Sequence, residues 1–155
     1  MDRRRLINGL IASALSIAIA LGIAAPAWAA GEPELMVYRS PTCRCCASWI
    51  NHMKDAGFHV KDIVTGDMAS IKAERGVPKA AASCHTAIAA GYIIEGHVPA
   101  SDVQRLLSER PNLLGIAAPG MPVGSPGMEM GDRVDPFTVV SFTQSGETAA
   151  YAEHL

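Results

Sequence analysis

Between residues 35 and 109 the spacing of apolar positions changes repeatedly, and each change predicts a new element. Leu35-Met36-Val37-Tyr38 is a short β-prone run with a charged residue on each side, broken by Ser40-Pro41-Thr42. A helical stretch follows over 45–56, with Gly57 as its stop. Residues 58–64 alternate partly and read as a second strand. Gly66-Asp67 opens a second helix over 68–75, ended by Gly76 and Pro78. Strand segments over 86–89 and 92–94 flank a tight Ala90-Gly91 turn. Ser101-Asp102 then cap a third helix through 109, with Leu106 and Leu107 facing inward and Pro111 enforcing the stop.

The order β-α-β-α-β-β-α predicts an α/β fold of thioredoxin-like kind. A βαβ unit supplies parallel strands, a hairpin completes a mixed sheet, and helices flank it. Beyond Pro111 the character changes. Residues 115–135 are rich in Gly, Pro and Met, which predicts a long loop with no regular element. Residues 137–142 and 148–151 form a closing hairpin around Gln144-Ser145-Gly146.

The first thirty residues read differently. Asp2-Arg3-Arg4-Arg5 precedes an apolar stretch from Leu6 to Ala25, then Pro26 and the small-residue pattern Ala27-Trp28-Ala29. This predicts an export signal over 1–29, cleaved to leave one domain over 30–155 in the periplasm. Twenty mostly apolar residues also suit an uncleaved anchor, the one route by which this chain would meet a membrane. The Arg3-Arg4-Arg5-Leu6-Ile7 string further resembles a twin-arginine signal. Losing Asp2 and the three arginines moves the net charge from −2 to about −4. That balance, without a basic run, argues against a nucleic-acid partner. No internal repeat or low-complexity linker is present.

All four cysteines lie beyond the signal, at Cys43, Cys45, Cys46 and Cys84. In an oxidising compartment an even count suggests two structural disulfides. Three cysteines within four residues, however, cannot staple distant parts of a fold. Cys43 and Cys46 form a Cys-x-x-Cys at a helix N-terminus, where the helix dipole and Arg44 would lower thiol pKa from about 8.5. Thiolate is both redox nucleophile and metal ligand. A third thiol at Cys45 is superfluous for dithiol–disulfide exchange but useful for holding a soft ion through bridging sulfurs. The leading reading is therefore thiolate metal binding, ahead of disulfide redox chemistry and structural bridging.

Cys84-His85 lies just before the third strand, which this fold would bring beside the first helix. Cys84 reads as a fourth ligand or as the partner of a disulfide to Cys45 or Cys46. His85 reads as a ligand, as a donor behind one, or as merely exposed. His97, between glycine and a strand end, reads on its own as a solvated turn residue. Met121, Met128 and Met130 sit on a Gly/Pro loop, where helical packing cannot explain them. Thioethers bind Cu(I) and form no disulfides, so Met121 and Met128 are either ligands or gap-fillers under a folded-over loop. His52, His59 and His154 carry no partner signal.

Several of these residues fall into one pattern. Cys43-x-Cys45-Cys46, Cys84-His85-Thr86, Gly91-Tyr92 with Glu95-Gly96-His97-Val98-Pro99, Gly115, Pro119-Gly120-Met121-Pro122 and Gly124-Ser125-Pro126-Gly127-Met128-Glu129 together resemble the CopG-type copper-resistance proteins, over roughly residues 35–142. The resemblance implies a thioredoxin-like fold whose cysteines bind copper as a multinuclear Cu(I)–thiolate cluster. It further implies copper tolerance or copper redox handling in the bacterial envelope, beside other envelope copper-handling proteins. Cys43, Cys45, Cys46 and Cys84 carry over as ligands; His85, His97, Met121 and Met128 match further motif positions of the same site. Two competing expectations stand beside this one: a thiol–disulfide oxidoreductase using Cys43 and Cys46, and a structural zinc site with four thiolates.

Overall fold

The computed structural model describes residues 33–155; the expected export signal lies outside the described residues. Strand β1 spans Glu34–Arg39 and leads through the Ser40-Pro41-Thr42 turn into helix α1, Arg44–Asp55. Cys46, Trp49, Ile50 and Met53 are the buried residues of α1. Their i, i+3, i+4, i+7 spacing makes one apolar stripe, so the packing face of the helix is dictated by sequence. Gly57, in the left-handed region, ends it in a Schellman turn: Gly57 N–H donates to Lys54 O and Phe58 N–H to Met53 O. Strand β2, His59–Val64, then runs parallel to β1.

Helix α2, Met68–Glu74, is capped as expected, with the Asp67 side chain accepting from Ser70 N–H. A single 3-10 turn at Lys79–Ala81 leads to the hairpin of β3, Thr86–Ala89, and β4, Tyr92–Gly96. Ala90 and Gly91 both have positive φ, the two-residue turn that matches the twist of antiparallel strands. Helix α3 covers Ala100–Glu109, one residue before the expected Ser101-Asp102 cap. No side chain of its own caps it. Instead Ala100 N–H donates to His52 Nε2 from α1, so His52 is the partner of a helix end rather than a surface group. Asp102 is buried in the first turn and lies 2.7 Å from His154 Nε2, which gives His154 a partner as well.

Strand β5, Gly115–Ala118, corrects the sequence reading, which placed all of 115–135 in a loop. All four of its residues are buried, and the reason Gly115 starts a strand is steric. A Cβ there would run into Ile93 O and the Phe142 ring, so this glycine permits close strand approach rather than a turn. Strands β6, Phe137–Phe142, and β7, Thr148–His154, close the sheet as the expected hairpin.

The seven strands form one mixed sheet in the order β2-β1-β3-β4-β5-β6-β7. β1 pairs with β2 in parallel and with β3 antiparallel, and β3 pairs antiparallel with β4, as the βαβ-plus-hairpin reading requires. The β4–α3–β5 crossover adds a second parallel pair. Alternation divides the apolar side chains between two faces. Leu35, Val37, Ala87, Ile94, Ile116, Ala118 and Val139 pack with Trp49, Met53, Val103 and Leu106 of α1 and α3. Ile93, Ala117 and Phe142 pack on the other face with Ala81. Each large side chain so buried stabilises the fold by roughly 1.5–3 kcal/mol. Among the described residues no helix is long and apolar enough to cross a membrane.

Candidate metal centre

The cysteine cluster sits at the N-terminal end of α1 because the Ser40–Cys43 turn, closed by Cys43 N–H to Ser40 O at 3.2 Å, starts the helix there. Cys43 is the N-cap and makes no capping bond, which leaves the positive end of α1 turned toward sulfur rather than a carboxylate or hydroxyl. The apolar stripe of α1 buries Cys46, while Cys43 and Cys45 stay half-buried. Cys43 and Cys46 are joined as a disulfide across one helical turn, with Cα atoms 5.4 Å apart. Cys45 and Cys84 are free thiols, and Cys45 Sγ lies 3.5 Å from Cys43 Sγ. The expected alternative of a Cys84 disulfide to Cys45 or Cys46 is thus not what the structure holds.

Cys84 reaches this cluster from the open end of the β3–β4 hairpin. All four sulfurs lie within 4.8 Å of one another, and Cys84 Sγ, a nitrogen of His85 and a nitrogen of His97 form a second group on the same limit. Cys84 Sγ is 2.9 Å from His97 Nε2 and 3.2 Å from His85 Nδ1. His97 is fully buried, not solvated, and its Nδ1 lies 2.8 Å from Pro126 O. A carbonyl can only accept, so Nδ1 carries the proton and Nε2 turns its lone pair to Cys84. His85 is also fully buried, which removes its exposed reading; its ring is 4.4 Å from that of Trp49, and its Nε2 has no hydrogen-bond partner among the described residues.

Burial and its neighbours His97 and Lys72 hold His85 well below the ordinary histidine range, and burial lowers His97 too. Both imidazoles are therefore neutral, the form that ligates metals. Burial, reinforced by the adjacent Cys45, pushes the Cys84 thiol up to about 12. The low-pKa setting expected of a helix N-terminus does not extend to Cys84, which enters from another element and is a thiol at neutral pH.

The segment after β5 folds back over the cluster. Gly120 bridges to Ser83, whose hydroxyl donates to Gly120 O, tying the loop to the residue before Cys84. Gly127 has φ +84°, and a Cβ there would sit 2.7 Å from Trp49 N and 2.8 Å from Cys45 O, so only glycine fits against the first turn of α1. Met128 follows it and is half-buried; Met121 and Met130 are exposed, at 54% and 63%. Cys43, Cys45, Cys46, Cys84, His85 and His97 are thus brought together, while the exposed Met121 lies one residue beyond the Gly120–Ser83 bridge.

Sequence reasoning gave no role to Glu95, Lys72, Trp49 or Pro126, although Glu95 and Pro126 stand within the quoted motif. Glu95 is fully buried and accepts from Lys72, Ser83 N–H and Thr86 Oγ1; burial raises its carboxyl pKa against the pull of these donors, Lys72 first. Trp49 Nε1 donates to Val98 O at 2.8 Å and braces the turn after His97. One signal was available: the two-residue Ala90-Gly91 turn pairs Thr86 with Glu95, and the same register continued places Cys84 opposite His97.

These features define an α/β domain with a clustered thiol–imidazole donor set, half covered by a glycine-rich strap. A sequence profile described as "Protein of unknown function, DUF411" matches residues 81–128. The solved structure "Copper resistance protein copG- Form 2" is 48% identical with a TM-score of 0.77, covering 80% of this chain and 99% of its own. "Copper resistance protein copG- Form 1" is 50% identical with a TM-score of 0.75, covering 79% and 98%. Comparison with curated proteins gives no match. The chain belongs to the CopG copper-resistance family.

Proposed function

We propose that this protein binds copper as Cu(I) through Cys43, Cys45, Cys46 and Cys84, with His85 and His97 as neutral imidazole donors beside Cys84. The observation that carries this reading is the convergence of four sulfurs within 4.8 Å, with Cys84 shared by the Cys-His-His group. Soft thiolates select Cu(I), and two of these donors, Cys43 and Cys46, become available in full only when the disulfide between them is reduced. Met121 and Met128, on the strap, are thioether donors for the same ion class. The expected export signal and the family's copper-resistance name support a periplasmic role in copper tolerance or copper redox handling, alongside other envelope copper-handling proteins.

Anaerobic Cu(I) titration of the reduced protein lacking residues 1–29, against a chelator of known affinity, tests this. More than one tightly held equivalent is expected, with Cys45→Ser lowering the count. No uptake by the reduced protein overturns the reading. Fractionation of cells carrying the full chain tests export, which fails if the protein stays in the cytoplasm.

A second reading, a thiol–disulfide oxidoreductase, is favoured by one observation: Cys43 and Cys46 already form a disulfide at a helix N-terminus. It predicts that Cys45→Ser leaves insulin reduction intact and that metal is dispensable. A structural zinc site would instead take one equivalent of Zn and unfold on chelation.

A further inference from the structure

We infer that the ion pair of buried Glu95 with half-buried Lys72 is a positioning device that holds Cys84 against the cysteine helix and His97. The inference rests on the copper reading of that cluster. Three successive residues, the last two of β4 and the one after it, grip Ser83, Cys84 and His85. Glu95 accepts from Ser83 N–H at 2.7 Å, Gly96 N–H donates to His85 O at 2.9 Å, and His97 Nε2 meets Cys84 Sγ at 2.9 Å.

Gly96 makes this grip possible. Its φ of +74° breaks the strand's alternation, and a Cβ there would collide with the Ser83 side chain and lie 2.8 Å from Ala118 O. Glu95 and His97 would share a face in a regular strand. The turn at Gly96 lets Glu95 meet Lys72 of α2 while His97 meets Cys84 and the His85 ring, which packs on Trp49 of α1.

The carboxylate is fully engaged. Oε1 takes Lys72 Nζ and Ser83 N–H, Oε2 takes Thr86 Oγ1 at 2.6 Å, and Lys72 Nζ also donates to Thr86 Oγ1 at 3.1 Å. Ser83 in turn carries the Gly120 bridge, so one carboxylate anchors both the cysteine turn and the strap. Core packing does not explain the charge. Helix α2 has no buried residue, and a desolvated ion pair is often no better for stability than apolar side chains of the same volume. What the pair adds is a fixed direction for the Ser83 amide, and with it the position of Cys84.

Glu95→Gln, Lys72→Met and the double variant test this with reduced protein. Two readouts need no metal: the Ser83 amide resonance, and the alkylation rate of Cys84 relative to Cys45. In Glu95→Gln the Ser83 amide is expected to shift upfield and Cys84 to alkylate about tenfold faster. Cu(I) affinity is expected to fall about 10–100-fold, as for groups that orient metal ligands, with an altered thiolate–copper absorption band. The double variant, which leaves no charge unpaired, is expected to melt near the wild-type temperature yet keep the fast alkylation and weak affinity. Wild-type alkylation and affinity in the double variant overturn the proposal and make the pair a purely structural one. Should Glu95→Gln fail to fold, Thr86→Val, which spares the ion pair, is expected to speed Cys84 alkylation about threefold, and an unchanged rate overturns the proposal. If wild-type protein takes up no Cu(I), the copper reading falls alone, and the amide shift and alkylation rate still decide the positioning role.

Discussion

Cys84 Sγ lies 2.9 Å from His97 Nε2, just beyond the open end of the β3–β4 hairpin, whose last paired residues are Thr86 and Glu95. The β3–β4 register brings the two segments together, and the left-handed Gly96 turns His97 onto Cys84. Pro126 O completes the arrangement by fixing the His97 tautomer.

His97→Ala removes the imidazole and leaves Cys84 without its partner. Cu(I) affinity in anaerobic chelator competition is expected to fall at least about tenfold, the usual cost of removing a group that ligates or orients a ligand. His97→Gln, which has no ring nitrogen to offer, is expected not to rescue it. Wild-type affinity in both variants would remove His97 from the site.

Gly127→Ala forces a Cβ against Trp49 N and Cys45 O at a left-handed φ. Overpacking of this kind costs about 1–3 kcal/mol, and the adjoining Pro126 carbonyl moves with it. The expected result is a lower urea midpoint of the reduced protein together with weakened Cu(I) uptake, because the strap leaves the first turn of α1. An unchanged midpoint would show that the strap has room the structure does not leave.

Trp49→Phe keeps the ring packed on His85 but deletes the donor to Val98 O. A buried carbonyl left without its partner costs about 1–3 kcal/mol, which urea unfolding would read directly. The Cys84 alkylation rate should rise as well, since Val98 follows the residue that faces Cys84. Equal stability of the two proteins would argue that this hydrogen bond does not hold the turn.

Acid should destabilise the fold through its histidines. Burial holds His52 below its ordinary pKa, against the opposite pull of Glu129 and Asp55, and His85 and His97 are lowered for the same first reason. At these three histidines the folded chain binds fewer protons than the unfolded one, and the stability they contribute falls as pH drops from about 7 through the unfolded value near 6.5. In His52→Gln the side-chain oxygen can still accept from Ala100 N–H without titrating. Its urea midpoint is expected to fall less steeply between about pH 7 and 5 than the wild type's. Parallel slopes would exclude His52 from the acid response.

Local pattern made most of the fold legible. The stripe Cys46, Trp49, Ile50, Met53 sets the packing face of α1, Gly57 ends it, and the Ala90-Gly91 turn sets the β3–β4 register. The adjacent thiols at Cys43, Cys45 and Cys46 follow from the chain alone, since neighbours in sequence at a helix start are neighbours in space. Strand β5 was hidden because Gly115 carries two opposite meanings, a turn residue or a close-approach residue, and only the Ile93 and Phe142 contacts select the second. Tertiary structure also decided the burial of His97, the capping of α3 by His52 and the Glu95–Lys72 clamp, whose partners come from separate elements. Such contacts have no period and no local signature. They exist because a sheet with helices packed against it leaves certain polar groups out of reach of water, where each must find a partner or go unpaired.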